Sequence, residues 1–249
     1  MNDRRILDIC LGRSNGIVSG EAKLRIYEDF NSAGAAYNQA LSDSGADYVV
    51  LVHQDVYLPR PFLSRLDDQV RRLNDLDPEW AVAGIIGLDE NGALSGRTWS
   101  SGLGQLVGRE TDQPKIATAL DEVLLVIRRA ASIEFDDNLP SFHLYATDLV
   151  QIAKQRGLGC YVIDAPVIHH SRPVVSLAGG YMAAYHYLQD KWRGQLPLPN
   201  LICPILSSSI PLHWRNFRMR LRHLGKTVRA EPTGDPAMIA QRLGLEDAP

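Results

Sequence analysis

The chain has 249 residues, of which 45% are hydrophobic and 22% charged, a balance typical of a globular domain with a sizeable core. Its net charge of −3 gives no general attraction to polyanions, so we expect no nucleic-acid partner. The three cysteines are far apart, and Cys10 and Cys160 lie in apolar runs. This pattern predicts buried thiols in a reducing cytoplasm, and the polar Met1–Arg5 segment predicts no signal peptide.

Short apolar, β-branched runs alternate with segments of helical periodicity up to about residue 170, which predicts an α/β sheet flanked by helices. The predicted strands cover 5–11, 46–52, 80–88, 123–127, and 159–163 continuing to 167–168. The predicted helices cover 32–43, 61–73 and 147–157. Asn31 or Ser32 is the expected N-cap of the first helix and Thr147 that of the last.

The first group of candidate site residues is His53-Gln54-Asp55, which directly follows the apolar run 46–52. Ligands of open α/β sheets bind beyond the carboxyl ends of strands, where polar side chains are held rigidly. Asp55 offers the hard oxygen ligand that Mg²⁺ or Mn²⁺ prefers, with pyrophosphate oxygens as further ligands. The alternative interpretation is a strand that simply ends in polar residues.

Two further candidates also follow apolar runs. Asp148 is expected in the first turn of a helix, where it is either a favourable dipole partner or a general base. His169 and His170 end the last predicted strand, and one imidazole there would complete a Mn²⁺ shell begun by Asp55. A structural or exposed histidine pair is the alternative.

The segment 214–229 is basic, with six Arg or Lys residues and no acidic residue. Trp214, Phe217, Leu221 and Leu224 share one helical face beside arginines. This segment is expected either to touch anionic lipid head groups or a phosphate-bearing acceptor, or to be a solvated helix packed on its own domain.

In order and spacing over roughly residues 5–192, the sequence resembles the family 2 type of glycosyltransferase, with the nucleotide-diphospho-sugar transferase (GT-A) fold, a Rossmann-like mixed sheet flanked by helices. It is most similar to a bacterial branch with His-Gln-Asp-Val in place of Asp-x-Asp. The matching residues are Ser32–Asn38, Val50–Pro59, Leu120–Arg129, Phe135, Phe142–Tyr145, Asp148, Gly157, Val167–Ser171 and Leu188–Trp192.

The resemblance implies a metal-dependent, inverting transfer of a sugar from a nucleoside-diphosphate sugar to a hydroxyl acceptor, which would be a glycan, a lipid-linked or a small molecule. His53, Gln54 and Asp55 would bind the metal–diphosphate, with Mn²⁺ or Mg²⁺ as the ion. Ser32 and Asn38 would lie near the nucleotide, and His169 or His170 would join the metal shell. Asp121 would lie near the donor sugar or acceptor, and Asp148 would be the catalytic base. The implied GT-A domain covers 1–205 and is followed by a basic extension over 206–249. The implied location is the cytoplasm, either free or at the inner face of the membrane.

The sequence departs from the family pattern at three places. His53 replaces the first acid of Asp-x-Asp, Thr147 replaces the Glu of a common Glu-Asp pair, and Gly12-Arg-Ser-Asn15 replaces the common Pro-x-Tyr-Asn. These departures leave open a non-catalytic member that binds a sugar nucleotide or glycan. A sugar nucleotidyltransferase is the other alternative, and it would carry a Gly-rich, basic phosphate loop after the first strand.

Overall fold

The computed structural model describes residues 4–224 and 234–246. Within these ranges ten strands form one mixed sheet in the order β1-β8-β3-β9-β7-β4-β5-β10-β2, and β6 pairs with β5. The strands are β1 Tyr48–Val52, β2 Val56–Tyr57, β3 Val82–Gly84, β4 Ile86–Asp89, β5 Leu94–Ser100, β6 Gln105–Arg109, β7 Lys115–Leu120, β8 Leu124–Arg128, β9 Cys160–Val162 and β10 Val167–His169. The described β3–β9 and β5–β10 pairs are parallel and the other described pairs antiparallel.

Helices cover both faces of the sheet. They are α1 Arg4–Ile9, α2 Asn15–Val18, α3 Ala33–Asp43, α4 Phe62–Leu76, α5 Tyr145–Gln155, α6 Gly180–Lys191, α7 Ile210–His223 and α8 Pro236–Arg242. The alternation of side chains along β8 divides the core, because Leu125 and Ile127 pack with α3, α5 and α6, whereas Leu124 and Val126 pack with α1 and α4. The predicted α/β class, a mixed sheet flanked by helices, is therefore confirmed.

Two of the predicted helices form for the expected reasons. Ser32 caps α3, since its hydroxyl accepts a hydrogen bond from the Ala35 N–H at 3.3 Å. The apolar face predicted for 61–73 is buried in α4, which begins directly after Pro61. The predicted buried thiols are also confirmed, because all three cysteines are free and buried.

Three predicted elements are wrong. Residues 5–11 form α1 and a 3-10 turn, not a strand, because Leu7, Cys10 and Leu11 bury one face at helical spacing. The predicted strand 80–88 is divided at Ile85 into β3 and β4, which pair with different neighbours. Thr147 is not a cap, because α5 already begins at Tyr145 and the Thr147 hydroxyl accepts a hydrogen bond from Asn200 at 2.8 Å.

The described parts of the predicted C-terminal extension pack against the rest of the molecule. Leu212 of α7 belongs to the main core, and Ile239 of α8 packs against Tyr57 and Ile168. Lys226 and Arg229 of the predicted basic segment lie outside the described residues. No helix in the described ranges is both long and apolar enough to cross a membrane. The boundary between 205 and 206 stays a prediction.

Candidate metal and donor site

The residues predicted to bind a metal lie where two strands of the sheet end. His53, Gln54 and Asp55 form the tight turn between β1 and β2, in which the Val56 N–H donates to the His53 carbonyl at 3.2 Å. His169 is the last residue of β10, and it pairs with Val56 of β2 in antiparallel register. The pairing of β2 with β10 therefore carries His169 to the same place as the turn.

His53, Asp55 and His169 come together there, and we refer to them as the His–Asp–His group. One potential ligand atom from each lies within 4.8 Å of the others. The His169 Nε2 is 3.4 Å from the Asp55 Oδ2, and the two imidazole ring centroids are 5.9 Å apart. The Asp55 and His169 side chains are 24% and 23% exposed, so the group is open to solvent on one side.

The protonation states of the group follow from its burial and its mutual contacts. Burial would raise the pKa of Asp55, but the hydrogen bond and charge of His169, with the charge of His53, lower it to about 2. Burial lowers the pKa of His169, but the Asp55 carboxylate outweighs burial, so this pKa lies above its usual value. Burial holds the pKa of His53 below its usual value. The group therefore combines an ionised carboxylate with a neutral imidazole at neutral pH.

A hydroxyl behind His53 determines which of its nitrogens is free. The Tyr145 O–H donates to the Glu122 carbonyl at 2.8 Å, and the same oxygen lies 2.9 Å from His53 Nε2. Because that single hydroxyl proton is used on Glu122, His53 must donate from Nε2. Its Nδ1 is then the nitrogen that carries a lone pair. This is the arrangement in which a histidine ligand is oriented by a second residue.

The turn between β7 and β8 supplies two acids beside His53. The His53 N–H donates to the Val123 carbonyl at 3.1 Å, and the Val123 N–H donates to the Asp121 carboxylate at 3.0 Å. The charge of Asp121 acts on the pKa values of both His53 and His169. Burial and the charge of Asp121 raise the pKa of the neighbouring Glu122 to about 8. Asp121, a predicted site residue, therefore lies next to the His–Asp–His group.

His170 does not belong to this group, so of the two histidines named from the sequence it is His169 that lies beside Asp55. Its N–H donates to the Asp55 carbonyl at 2.8 Å, and its ring Nδ1 lies 3.2 Å from the Ser101 hydroxyl. Consecutive side chains of an extended segment point to opposite sides, so His169 and His170 cannot both face Asp55. His170 is buried, and burial lowers its pKa.

Asp148 is held by α6 and the residue that follows it. Its carboxylate accepts from the Trp192 indole N–H at 2.7 Å and from the Lys191 ammonium at 2.9 Å. Lys191 also bridges to Asp136 at 2.6 Å, so that the cation joins two carboxylates. The Asp148 side chain is only 2% exposed, and burial raises its pKa. Its hydrogen bonds and ion pairs within the described residues do not include the His–Asp–His group.

The two residues predicted to lie near the nucleotide have structural partners. Ser32 is buried and caps α3. The Asn38 amide donates to the Phe135 carbonyl and accepts from the Phe135 N–H, both at 2.9 Å, and it also donates to Asp137 at 2.7 Å. These contacts fasten α3 to the segment before α5. A nucleotide contact by either residue stays a prediction, as does one by Gln54.

Sequence reasoning missed the aromatic and acidic residues that support the group. Tyr37, Glu122 and Tyr145 lie within the matching segments Ser32–Asn38, Leu120–Arg129 and Phe142–Tyr145, but the sequence assigns none of them a role. The hydroxyl oxygens of Tyr37 and Tyr145 are 3.3 Å apart. A buried tyrosine requires a partner for its hydroxyl, which is the signal that would have marked both tyrosines as polar contacts.

Comparisons with known proteins give limited similarity. The sequence matches no protein-family model. It is 28% identical over 143 residues to the protein "ATP synthase subunits region ORF 6" of Fuscovulum blasticum, which covers 55% of this chain and 57% of that protein. The chain therefore spans less than two thirds of that relative.

Two solved structures are similar to the chain. The structure of GalNAc-T7 with UDP, GalNAc and Mn²⁺ is 13% identical, with 86% of this chain and 45% of that chain covered and a TM-score of 0.45. The mannosyltransferase PcManGT from Pyrobaculum calidifontis, in complex with GDP-Man and Mn²⁺, is 15% identical, with 98% and 77% covered and a TM-score of 0.45. Values this low assign neither a ligand nor a residue role to this chain.

Proposed function

We propose that this protein is a metal-dependent glycosyltransferase that moves a sugar from a nucleoside-diphosphate sugar to a hydroxyl acceptor. The observation that carries the proposal is the His–Asp–His group, which lies at the ends of β1 and β10 and is open on one side. Ligand sites of α/β sheets occur at such strand ends. The ordered sequence resemblance to GT-A transferases over roughly residues 5–192 supplies the reaction class.

The chemistry of the group suits Mn²⁺ better than Mg²⁺. Mg²⁺ prefers oxygen ligands with several waters, whereas imidazole is a good ligand for first-row transition metals. His53 and Asp55 are in the protonation states that a metal requires, whereas the raised pKa of His169 makes its binding compete with a proton. When bound, the ion would offset the negative charge that builds on the leaving diphosphate.

The chain's own residues then position the acceptor and receive its proton. Asp121 is the predicted catalytic carboxylate that lies beside the group, whereas Asp148 is paired with Lys191 and Trp192. We therefore propose Asp121 as the carboxylate that faces the reacting atoms and Asp148 as the residue that joins α5 to α6. The sugar would be attacked from the face opposite the diphosphate, with inversion at the anomeric carbon.

One pair of variants distinguishes the roles of Asp121 and Asp148. If Asp121 is the base, Asp121→Asn should lower kcat by about 10²–10⁴-fold while nucleotide binding is retained. Asp148→Asn should instead lower the melting temperature, because it removes a buried charge from the Lys191 pair. The opposite result, with kcat lost only in Asp148→Asn at unchanged stability, would return the base role to Asp148. The anomeric configuration of the product, read by NMR, tests inversion.

One observation favours a second candidate function, a non-catalytic protein that binds a sugar nucleotide. The carboxylate that the family pattern assigns as base is sequestered by Lys191 and Trp192. Metal-dependent nucleotide binding without transfer to any of a broad set of acceptors would support this candidate. The nucleotidyltransferase alternative loses its basis, because Gly12–Gly16 follows a helix rather than a strand and Arg13 is paired with Asp235 at 2.8 Å.

A thermal-shift screen tests the site before any acceptor is known. The protein is melted with nucleoside diphosphates and sugar nucleotides, in Mn²⁺, Mg²⁺, Fe²⁺ or Zn²⁺, or in chelator. A ligand that binds the folded state raises the melting temperature by mass action. We expect a nucleotide-dependent increase that is largest in Mn²⁺ and lost in chelator and in Asp55→Ala.

The matched control is Asp67→Ala, which removes an exposed carboxylate from α4. It should keep the full shift. If no nucleotide raises the melting temperature under any metal, the transferase proposal fails. An increase that survives Asp55→Ala would place the nucleotide elsewhere than the His–Asp–His group.

A further inference from the structure

Helix α7 is attached to the molecule by one face. Leu212 is fully buried in the main core, and Met219 packs partly against it. The Asn216 side-chain oxygen accepts a hydrogen bond from the Leu177 N–H at 2.8 Å. These residues recur at helical spacing, so one side of α7 is fixed on the domain.

The opposite face of α7 and the residue after it carries a continuous apolar stripe. Its members recur every three or four residues and therefore lie on one side of the helix. Their side chains are between 51% and 77% exposed, and the rings of Trp214 and Phe217 stack with centroids 5.8 Å apart. Stripe residues are Ile210, Trp214, Phe217, Leu221 and Leu224. Single exposed apolar residues are ordinary, but a contiguous set marks an interaction surface.

Positive charge flanks the stripe on both sides. By helical spacing Arg215, Arg218 and Arg222 border one edge, and Arg220 borders the other beside His213. The segment 210–224 contains no acidic residue, and these four arginines form no ion pair with the described residues. The helix therefore has an apolar stripe with a row of three arginines along one edge and one arginine at the other.

We propose that α7 docks the protein on an anionic membrane surface, with its axis parallel to the membrane plane. Apolar and aromatic side chains of such helices enter the boundary between head groups and acyl chains, and the flanking arginines contact lipid phosphates. At about 1.5 Å per residue, the 14 residues of α7 span about 21 Å. With its opposite face fixed on the core, the helix lies on the membrane and does not cross it.

The charge pattern argues against a second copy of this chain as the occupant. The stripe has the three-four spacing of a coiled-coil seam, whose flanking positions carry opposite charges in stable pairs. Here Arg218 and Arg220 occupy flanking positions and the segment 210–224 has no acidic residue, so a symmetric pair would gain no contact between opposite charges. A nucleic-acid backbone would satisfy the arginines but leave the apolar stripe in water.

A vesicle flotation assay with the full-length protein tests the proposal without requiring activity. Vesicles of phosphatidylcholine alone are compared with vesicles that also contain phosphatidylglycerol. We expect at least tenfold stronger binding to the anionic vesicles, and weaker binding at high salt because of screening. Trp214 fluorescence should be quenched by brominated acyl chains.

Two double variants separate the stripe from the charges. Trp214→Ser with Phe217→Ser, and Arg215→Gln with Arg218→Gln, should each reduce anionic-vesicle binding at least tenfold. The control variants are Leu76→Ser and Arg109→Gln, which alter exposed residues elsewhere and should bind like the wild type. All of the altered side chains are exposed, so each variant should keep the wild-type melting temperature.

Three results would overturn the proposal. The first is wild-type protein that does not float with the anionic vesicles. The second is a wild-type dimer in sedimentation equilibrium that becomes a monomer in the Trp214→Ser, Phe217→Ser variant. That result would mean that a second copy of the chain covers the stripe. Binding to a random-sequence oligonucleotide that outcompetes the vesicles and depends on the arginines alone would make nucleic acid the partner.

Discussion

The Tyr145 hydroxyl joins the His53 side chain to the turn before β8. It donates to the Glu122 carbonyl, accepts from the His53 ring, and lies against the Tyr37 hydroxyl. Burial raises the pKa of Tyr145 well above its usual value, so the hydroxyl keeps its proton. A neutral Tyr145 at this position holds the His53 ring with Nδ1 free, which makes Tyr145 a positioning residue for the proposed ligand.

Replacing Tyr145 with Phe should weaken both the fold and the proposed metal site. The variant leaves the Glu122 carbonyl and the His53 N–H without their partner, which costs about 1–3 kcal/mol of unfolding free energy. Loss of a group that orients a ligand should lower Mn²⁺ affinity about 10–100-fold. Isothermal titration with Mn²⁺ and urea denaturation measure the two effects.

Tyr37→Phe is the control, because its hydroxyl contacts Tyr145 but not His53. It should reduce stability slightly and leave Mn²⁺ affinity within about twofold, since no contact with the ligand is lost. If the two variants lose the same affinity, the effect passes through the aromatic packing and not through the His53 hydrogen bond.

At the scale of single residues, the sequence predicts some members of the candidate site but not their contacts. His53, Asp55 and His169 were identifiable because polar residues directly followed apolar runs. The choice between His169 and His170 depends on the register of β10 against β2, which a sequence does not contain. The partners of Asp148 lie 43 and 44 residues away in the chain, so its sequestration was equally invisible.

At the scale of elements, the start of α5 depends on a buried carboxyl group. Leu144, which precedes the helix, has a positive φ of 64° and makes no side-chain cap. The backbone N–H groups of Ala146, Leu144 and Tyr145 favour the ionised form of Glu122. Burial and the neighbouring Asp121 outweigh them and raise the pKa of Glu122 from 4.5 to about 8. Glu122 is therefore protonated in the folded protein at neutral pH.

The raised pKa predicts how stability depends on pH. An acid whose folded pKa exceeds its unfolded value contributes stability below the unfolded pKa and loses it as pH rises to the folded pKa. The contribution of Glu122 to the free energy of unfolding should therefore fall by a few kcal/mol between about pH 4.5 and 8, on the order of 1.4 kcal/mol for each unit of pKa difference. Glu122→Gln, which stays neutral, should remove this fall in urea denaturation across the same interval.

Glu134→Gln supplies the comparison, because Glu134 is exposed and lies on the segment before α5. Its pH profile should follow the wild type. A Glu122→Gln profile as steep as that of the wild type between pH 4.5 and 8 would mean that Glu122 is already ionised in the folded protein.

Element prediction succeeded where one face of a helix is buried and failed where the buried set is short. In α4, Phe62, Leu66, Val70 and Leu73 repeat over several turns, and the helix was identified. In α1 the pattern covers little more than one turn, and the same apolar residues fit a strand as well as a helix.

At the scale of the whole molecule, the chain closes on itself beside the proposed site. Tyr57 of β2 donates to the Glu246 carboxylate at 3.0 Å, and Ile239 packs against Tyr57 and Ile168. Ile168 directly precedes His169 in β10. Helix α8 and the Glu246 that follows it thus support β2 and β10, the two strands beside the His–Asp–His group. The Tyr57–Glu246 hydrogen bond joins residues 189 positions apart, which no local pattern could predict.

Shortening the Ile239 side chain to alanine tests whether residues 206–249 fold with the preceding domain. Ile239 is 3% exposed and its neighbour Met238 is 64% exposed, so the two alanine variants form a matched pair in one helix. Ile239→Ala should lower the free energy of unfolding by about 2–4 kcal/mol, because it leaves a cavity against Tyr57 and Ile168. Met238→Ala should change it by less than about 0.5 kcal/mol.

If α8 belongs to the domain, Ile239→Ala shifts one cooperative urea transition with an unchanged slope. A separate early transition with the main one unmoved would instead show that the predicted extension, residues 206–249, unfolds independently of the domain.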